Sequence, residues 1–436
     1  MLVWRSCRSR SGSTLRGRVG LGLAAAVMAA IGVAAPGPAH ANDPLSWARF
    51  GLPGTSTPHY GYDREFAREW EANPPRGYPT LSPDNLGPLK AAIKRYKAVV
   101  AAGGWRTIPN VQLRSGQTHA AVGLLRARLR LTADIKQDSS YADYFDHHLE
   151  RAVKRFQARH GLSPTGVVDK RTIAALNVPA PARLKQLQTN LGRLTSLVRS
   201  TGKRYLMVNI PAAQIEAVEG GRVVSRHSAV VGKIDRATPI LRSAVHELNF
   251  NPVWHLPPTV IEKDLIPKGR EMQRGGKSVL AKYGIDAYSG DGRKLKPGKI
   301  DWRSSAVRSY TFKQQPGPQN PLGFVKINFH NSHSVYMHDT PSQTLFGRNF
   351  RAASSGCVRA QNIEQLTAWL LSGNEKWTRE RVVQMRKSGE RLDVRLKKPV
   401  PLYFVYVTAW ATEDGVVQFR RDIYLKDGVG AMAAAY

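Results

Sequence analysis

The chain has 436 residues, a net charge of +33, 42% hydrophobic residues and two cysteines. That length holds roughly two to four domains, and the apolar content excludes a disordered polymer. The charge favours anionic partners (nucleic acid, anionic lipid or an anionic polymer), set against lysines and arginines scattered only for solubility.

Residues 1–41 have the form of a secretory signal. A basic stretch ends at Arg18, an apolar run extends from Val19 to Ala35, and Ala39-His40-Ala41 is a cleavage site before Asn42. The run is short for a spanning helix, so an uncleaved anchor is the lesser alternative. The expected mature chain begins at Asn42, carries +28 because five arginines lie in the leader, and has no transmembrane segment. Export weighs against nucleic acid as the partner. It also removes Cys7 and leaves Cys357 alone, so no intramolecular disulfide can form.

Residues 42–115 read as an N-terminal scaffold segment. An irregular arm over 42–82 precedes a helix over 86–102, with Leu89, Ile93, Tyr96 and Val100 in one stripe and Gly103-Gly104 as its end. Residues 116–178 read as three small helices. Val122, Leu125 and Leu129 form one stripe, and Leu149, Ala152, Val153 and Phe156 a second. Asp169 caps a third helix through Leu176. Residues 179–203 read as a scaffold helix with Leu184, Leu187, Leu191, Leu194 and Val198 on one face, which must pack against another element.

From 204 to 436 the period becomes that of strands: Tyr205–Ile210, a hairpin of Gln214–Val218 and Val223–Val231, Val245–Phe250, Phe324–Phe329, Ser334–His338, Leu402–Thr408 and Val416–Tyr424. Residues 258–320, charged and rich in Gly and Pro, interrupt the series as an inserted lid. A helix is expected over 363–371 with Asn362 as its N-cap. The fold class is therefore multidomain α+β: a helical scaffold and three-helix module, then a β-rich domain with an inserted lid.

In Ser334-Val335-Tyr336-Met337-His338, alternation puts Ser334, Tyr336 and His338 on one face. Nineteen residues later, Cys357 follows Gly356. A strand-end histidine and a loop cysteine that meet in space make a nucleophile and its base. Gly356 would let the backbone approach substrate, and the Cys357 N–H with a neighbouring N–H would form an oxyanion hole. Taken singly, Cys357 could equally be a small buried hydrophobe and His338 a satisfied core histidine.

Residues 116–177 resemble the peptidoglycan-binding type 1 domain. The likeness is carried by Ala152-Val153-Lys154-Arg155-Phe156-Gln157, His160-Gly161-Leu162, Gly166-Val167-Val168-Asp169 and Thr172 with Ala175-Leu176-Asn177. Tyr336-Met337-His338-Asp339-Thr340-Pro341 and Ser354-Ser355-Gly356-Cys357-Val358-Arg359 resemble the L,D-transpeptidase (YkuD-domain) superfamily, in its long periplasmic YcbB-like branch. Asn251-Pro252-Val253-Trp254 and Val231-Gly232-Lys233 also fit. Two positions depart from the commoner motif: Ser355 stands where histidine is frequent, and Asp339 where glycine is. His338 is then the one motif-supported base, oriented by a backbone carbonyl.

The resemblance implies an exported, periplasmic, wall-associated acyltransferase without cofactor or metal. Cys357 would attack a tetrapeptide stem at the L-centre of diaminopimelate and release D-alanine. A second diaminopimelate amine would then resolve the thioester into a 3→3 cross-link. Arg359, Tyr336, Trp254 and Ser355 would bind or line the substrate, and carbapenems would acylate the thiol. The partners implied are stem peptides and the sacculus, not nucleic acid. Water as acceptor would give an L,D-carboxypeptidase, and a protein amine an anchoring enzyme. A non-catalytic wall-binding scaffold and a zinc peptidoglycan hydrolase are the rival classes. The latter would draw on His330, His333 and His338, whose spacing fits no zinc motif.

Overall fold

The computed structural model describes residues 79–136, 141–373 and 376–430, so the leader and most of the irregular arm lie outside the described residues. Helix α1 (Leu86–Ala101) is followed by α2 (Ala121–Leu131), α3 (His147–Arg159) and α4 (Lys170–Leu176), and then by α5 (Ala180–Leu197). Asp146 accepts from the Leu149 N–H at 2.8 Å and Asp169 from the Thr172 N–H at 2.8 Å, so each carboxylate satisfies an orphan donor at the start of α3 or α4. Val122, Leu125, Leu129, Leu149, Val153 and Phe156 form one buried core with Ile173 and Leu176 of α4.

The chain then enters β1 (Arg204–Asn209), β2 (Gln214–Glu219), β3 (Arg222–Gly232) and β4 (Leu241–Phe250). An insertion follows. It contains β5 (Trp254–His255), a helical turn at Pro258–Val260, a π-helical stretch at Ile261–Leu265, α6 (Ile266–Arg274) and α7 (Val279–Tyr283). Strands β6 (Ile285–Tyr288), β7 (Lys294–Leu295) and β8 (Thr311–Gln314) complete it as a small sheet in the order β5-β8-β6-β7. Leu265, Leu280, Trp302 and Phe312 give the insertion its own core. The main sheet resumes with β9 (Val325–Phe329), β10 (Met337–His338), β11 (Ala352–Ser354) and β12 (Val358–Ala360). Helices α8 (Ile363–Leu371) and α9 (Arg379–Ser388) come next, then β13 (Leu392–Val405), β14 (Ala409–Ala411) and β15 (Val417–Phe419).

The main sheet runs β11-β3-β12-β10-β9-β4-β13-β1-β2, and pairing of β2 with β3 closes eight of these strands into a mixed barrel. Closure leaves few free edges. Strand alternation divides the cores. Leu206, Val208, Leu402 and Phe404 point into the barrel with Leu366 and Leu370 of α8. Tyr205, Met207, Tyr403 and Val405 point outward beneath Leu89, Tyr96, Leu187 and Leu194 of α1 and α5. The stripe of α5 is thus covered by the back of the barrel.

Several local expectations are corrected. The strand expected over Ser334–His338 is only Met337–His338, because Ser334 takes a left-handed φ of 54°. Asn362 does stand at the N-cap position of α8, but it is left-handed and makes no side-chain bond to the helix. The last two strands differ in opposite ways: β13 is far longer than expected and β15 far shorter.

The three-helix module is docked on the β14–β15 hairpin. The His160 ring stacks on Phe156 at 3.9 Å and on Phe419 at 5.4 Å. Arg159 donates to the Val417 carbonyl at 3.2 Å, and Arg420 donates to the Arg159 carbonyl at 3.0 Å. Both hydrogen bonds from Arg159 to Asp134 measure 2.6 Å, with both side chains buried. Asp134→Asn would leave that guanidinium buried without its counter-charge. The expected cost is about 3–5 kcal/mol, read as a lower midpoint of urea unfolding.

Candidate active site

Strands β10 and β12 run parallel and side by side, with Met337 opposite Val358 and His338 opposite Arg359. This register aligns the starts of the two strands. It brings His338 and Cys357 to one cavity of about 310 Å³, which Trp254, Tyr336, Ser355 and Arg359 also line. The insertion roofs it with Pro257, Pro258, Val260 and Asp264. The residues picked out in the sequence therefore converge, and Gly356 lies in the same loop.

The loop owes its shape to a few bonds. Gly356 has φ 114°, a conformation that L side chains rarely adopt. Its N–H donates to Ser354 Oγ at 3.1 Å, and Ser354 Oγ donates to the Cys357 carbonyl at 2.5 Å. Gly356 N–H is thus occupied, whereas the hydrogen bonds among the described residues give no acceptor for the Cys357 N–H. The Val358 N–H bonds the Tyr336 carbonyl at 3.0 Å and ties the loop to β10.

His338 is buried, and its Nδ1 lies 2.5 Å from the carbonyl of Asp339. A carbonyl only accepts, so that contact puts a proton on Nδ1, and the Pro321 carbonyl bonds the ring as well. The Asp339 side chain turns away and accepts from the Phe324 N–H. Burial, and after it the Arg359 charge, lowers the His338 pKa to about 3. Burial pushes the Cys357 thiol upward, while Tyr336, Arg359 and Lys326 pull it back. The resting pair is therefore neutral imidazole and neutral thiol.

Tyr336 accepts from Trp254 Nε1 at 3.0 Å, and its hydroxyl reaches the Cys357 sulfur. Its own pKa is held well above 10 by burial, so it stays a donor. Arg359 is 5% exposed, its Nε has no partner, and no carboxylate among the described residues pairs with it. Burial lowers its pKa to about 10, and the buried thiol opposes that shift. Lys326 was not singled out in the sequence. It reads as an ordinary outward residue of an alternating strand, yet β9 pairs with β10 and places Lys326 opposite His338, 4.7 Å above the Tyr336 ring.

Of the two other histidines considered as zinc ligands, His333 lines the cavity and His330 does not. His330 stacks on His246 at 4.1 Å, and His333 is exposed at the cavity rim. No three His, Cys, Asp or Glu side chains among the described residues are placed to hold a metal ion. No helix among them is long and apolar enough to cross a membrane.

A family model described as "L,D-transpeptidase catalytic domain" matches residues 203–383. The chain carries an L,D-transpeptidase catalytic domain. A second model, "Putative peptidoglycan binding domain", matches residues 118–176, the three-helix module. A protein of Haemophilus influenzae named "Putative L,D-transpeptidase" is 31% identical over 220 residues, which are 50% of this chain and 44% of that protein. The chain thus spans under half of that relative. An L,D-transpeptidase structure from Xylanimonas cellulosilytica is 16% identical, covering 67% of this chain and 97% of that one with TM-score 0.23. One from Stackebrandtia nassauensis is 13% identical, covering 69% and 97% with TM-score 0.26. In this L,D-transpeptidase domain the matched segment contains the cavity, the loop at Cys357 and the roofing insertion.

Proposed function

We propose that the protein is an exported L,D-transpeptidase of the bacterial wall. The observation that carries this reading is the convergence of Cys357 and His338 on one roofed cavity that also holds Arg359, a buried cation without a carboxylate partner among the described residues. As the sulfur attacks the carbonyl of the diaminopimelate L-centre, the thiol proton passes to His338 Nε2. The Tyr336 hydroxyl, with Lys326 and Arg359, favours the negative charge on sulfur, and the Cys357 N–H faces the developing oxyanion. Collapse breaks the amide and leaves a thioester. The D-alanine nitrogen takes the proton from His338 and departs. The side-chain amine of a second stem then attacks, gives its proton to His338 and forms the 3→3 amide while the thiol is regained. Strained β-lactam amides meet the same thiol, so carbapenem adducts belong to this reading. The module and the basic surface would hold the enzyme on the sacculus.

The test is incubation with sacculi rich in tetrapeptide stems, followed by mass spectrometry of muropeptides. New 3→3 dimers with free D-alanine support transfer to an amine. Tripeptides with D-alanine support water as acceptor. No change in either refutes the reading.

Arg359 is the group best suited to the donor's terminal carboxylate. Arg359→Met is expected to lower kcat/KM by about 10- to 150-fold, the worth of a hydrogen bond to a charged group. A donor with a C-terminal amide should be about 10-fold or more poorer than the acid for the wild type. The two donors should be equivalent for the variant.

A further inference from the structure

The roof and the nucleophile loop are joined by one polar chain. Asp264 lies in the π-helical stretch of the insertion and is fully buried. Arg236 ends a short turn after β3 and grips that carboxylate with two bonds, Nη1 to Oδ2 at 2.6 Å and Nη2 to Oδ1 at 2.9 Å. The same Nη1 donates to Ser355 Oγ at 2.8 Å, two residues before Cys357. Asp235 also lies near Arg236, at 3.5 Å from Nε, but its carboxylate is largely exposed.

The turn bearing Arg236 is itself fixed on the catalytic loop. Thr238 Oγ1 accepts from the Gly232 N–H at 2.8 Å and donates to the Gly356 carbonyl at 2.8 Å. Tyr424 closes the set, with its hydroxyl donating to the Gly232 carbonyl at 2.6 Å and accepting from the Thr238 N–H at 3.1 Å. A Cβ on Gly232 would strike the Arg236 carbonyl, so the turn can sit this close only over glycine. A buried ion pair adds little net stability over apolar packing, because desolvation offsets attraction. What a bidentate pair does supply is a fixed direction between the two elements it joins.

We propose that Arg236 and Asp264 are positioning residues that set the angle of the Cys357 loop by the seating of the roof. The inference rests on the reading of Cys357 as nucleophile. Coupling of this kind is reciprocal: a change at Ser355 must be felt in the roof, and a change at Asp264 in the loop. The loop then presents the thiol correctly only while the insertion is seated on this chain of bonds.

The full chain carrying Ser355→Ala, Asp264→Asn, Asp264→Glu or the Asp264→Asn/Ser355→Ala pair is compared by hydrogen exchange and by the rate of imipenem acylation followed by intact mass. Ser355→Ala removes one hydroxyl from an exposed loop position, yet it is expected to raise exchange in residues 258–274. Asp264→Asn is expected to raise exchange in residues 352–358 and to slow acylation about 10- to 100-fold, the scale of a misaligned attack, while the imipenem dissociation constant changes under about 3-fold. Asp264→Glu should recover most of the rate. The double variant should be no slower than Asp264→Asn, since both changes cut one chain. Unchanged roof exchange in Ser355→Ala, or a double loss equal to the product of the single losses, overturns the proposal. Should Asp264→Asn not fold, Ser355→Ala and Asp264→Glu still decide. Should the wild type take no imipenem, the functional reading falls, and exchange alone decides the coupling.

Discussion

Cys357→Ala is expected to abolish both the carbapenem adduct and the muropeptide products, with a loss of at least about 10⁴-fold. The magnitude follows from what would be left. Tyr336 and Arg359 would still line the cavity with the Lys326 charge nearby, and the Cys357 backbone N–H would still face an oxyanion, but no atom would form the covalent intermediate. Cys357→Ser is expected to recover little of this. A hydroxyl is a far weaker acid than a thiol, and His338 is already a weak base in its buried setting. Because Cys357 is the one cysteine among the described residues, a single mass measurement reads the result. A persistent adduct on the Cys357→Ala chain would place the nucleophile elsewhere. An adduct-free wild type would remove the thioester from the proposed function.

The features legible in the sequence were those with a local cause. Asp169 caps a helix whose apolar residues follow at once. The stripe on α5 required a covering partner, and the outward face of β1 and β13 supplies it. The relation of His338 to Cys357 could be read because a short strand and a glycine loop both lie within one stretch of sequence. Arg236 and Asp264, by contrast, meet across the start of an insertion, and neither carries a pattern that names the other. Lys326 is equally silent, since only the β9–β10 pairing turns an ordinary strand lysine toward the thiol. Helix α9 escaped because just Val382 and Met385 of it are buried. Its ends were the available signal: Thr378 accepts from the Arg381 N–H, and Gly389 takes the left-handed turn after it. The length of β13 was hidden for a related reason. Its first half alternates half-buried and exposed residues with charges on the open side, and it reads as strand only once β4 lies against it.

The second large effect concerns His338 and the pH dependence of acylation. In a preformed ion pair, a thiolate already exists near neutrality, and alkylation of the sulfur is fast and flat from about pH 5 upward. Here burial acts in opposite senses on the two groups: it raises the thiol and drives the imidazole down to about 3. Neutral partners are the stable state, and the proton crosses only during attack. Iodoacetamide alkylation of Cys357 should therefore rise with pH through 9 without an earlier plateau. The sign for acylation follows from His338, which acts in its unprotonated form. With its pKa depressed, that form persists as pH falls through 6.5, so the rate should show no acid limb between about pH 7 and 5. His338→Gln keeps a polar side chain but has no basic nitrogen, and should lower acylation about 10²- to 10⁴-fold. Alkylation by iodoacetamide above pH 9, where hydroxide removes the proton, should hardly change in that variant. A wild-type acid limb centred near 6.5 would mean that the imidazole is protonated like a free one, and the neutral-pair mechanism would then be wrong. The split between the two reagents separates a base from a merely structural histidine, because a collapsed cavity would slow both.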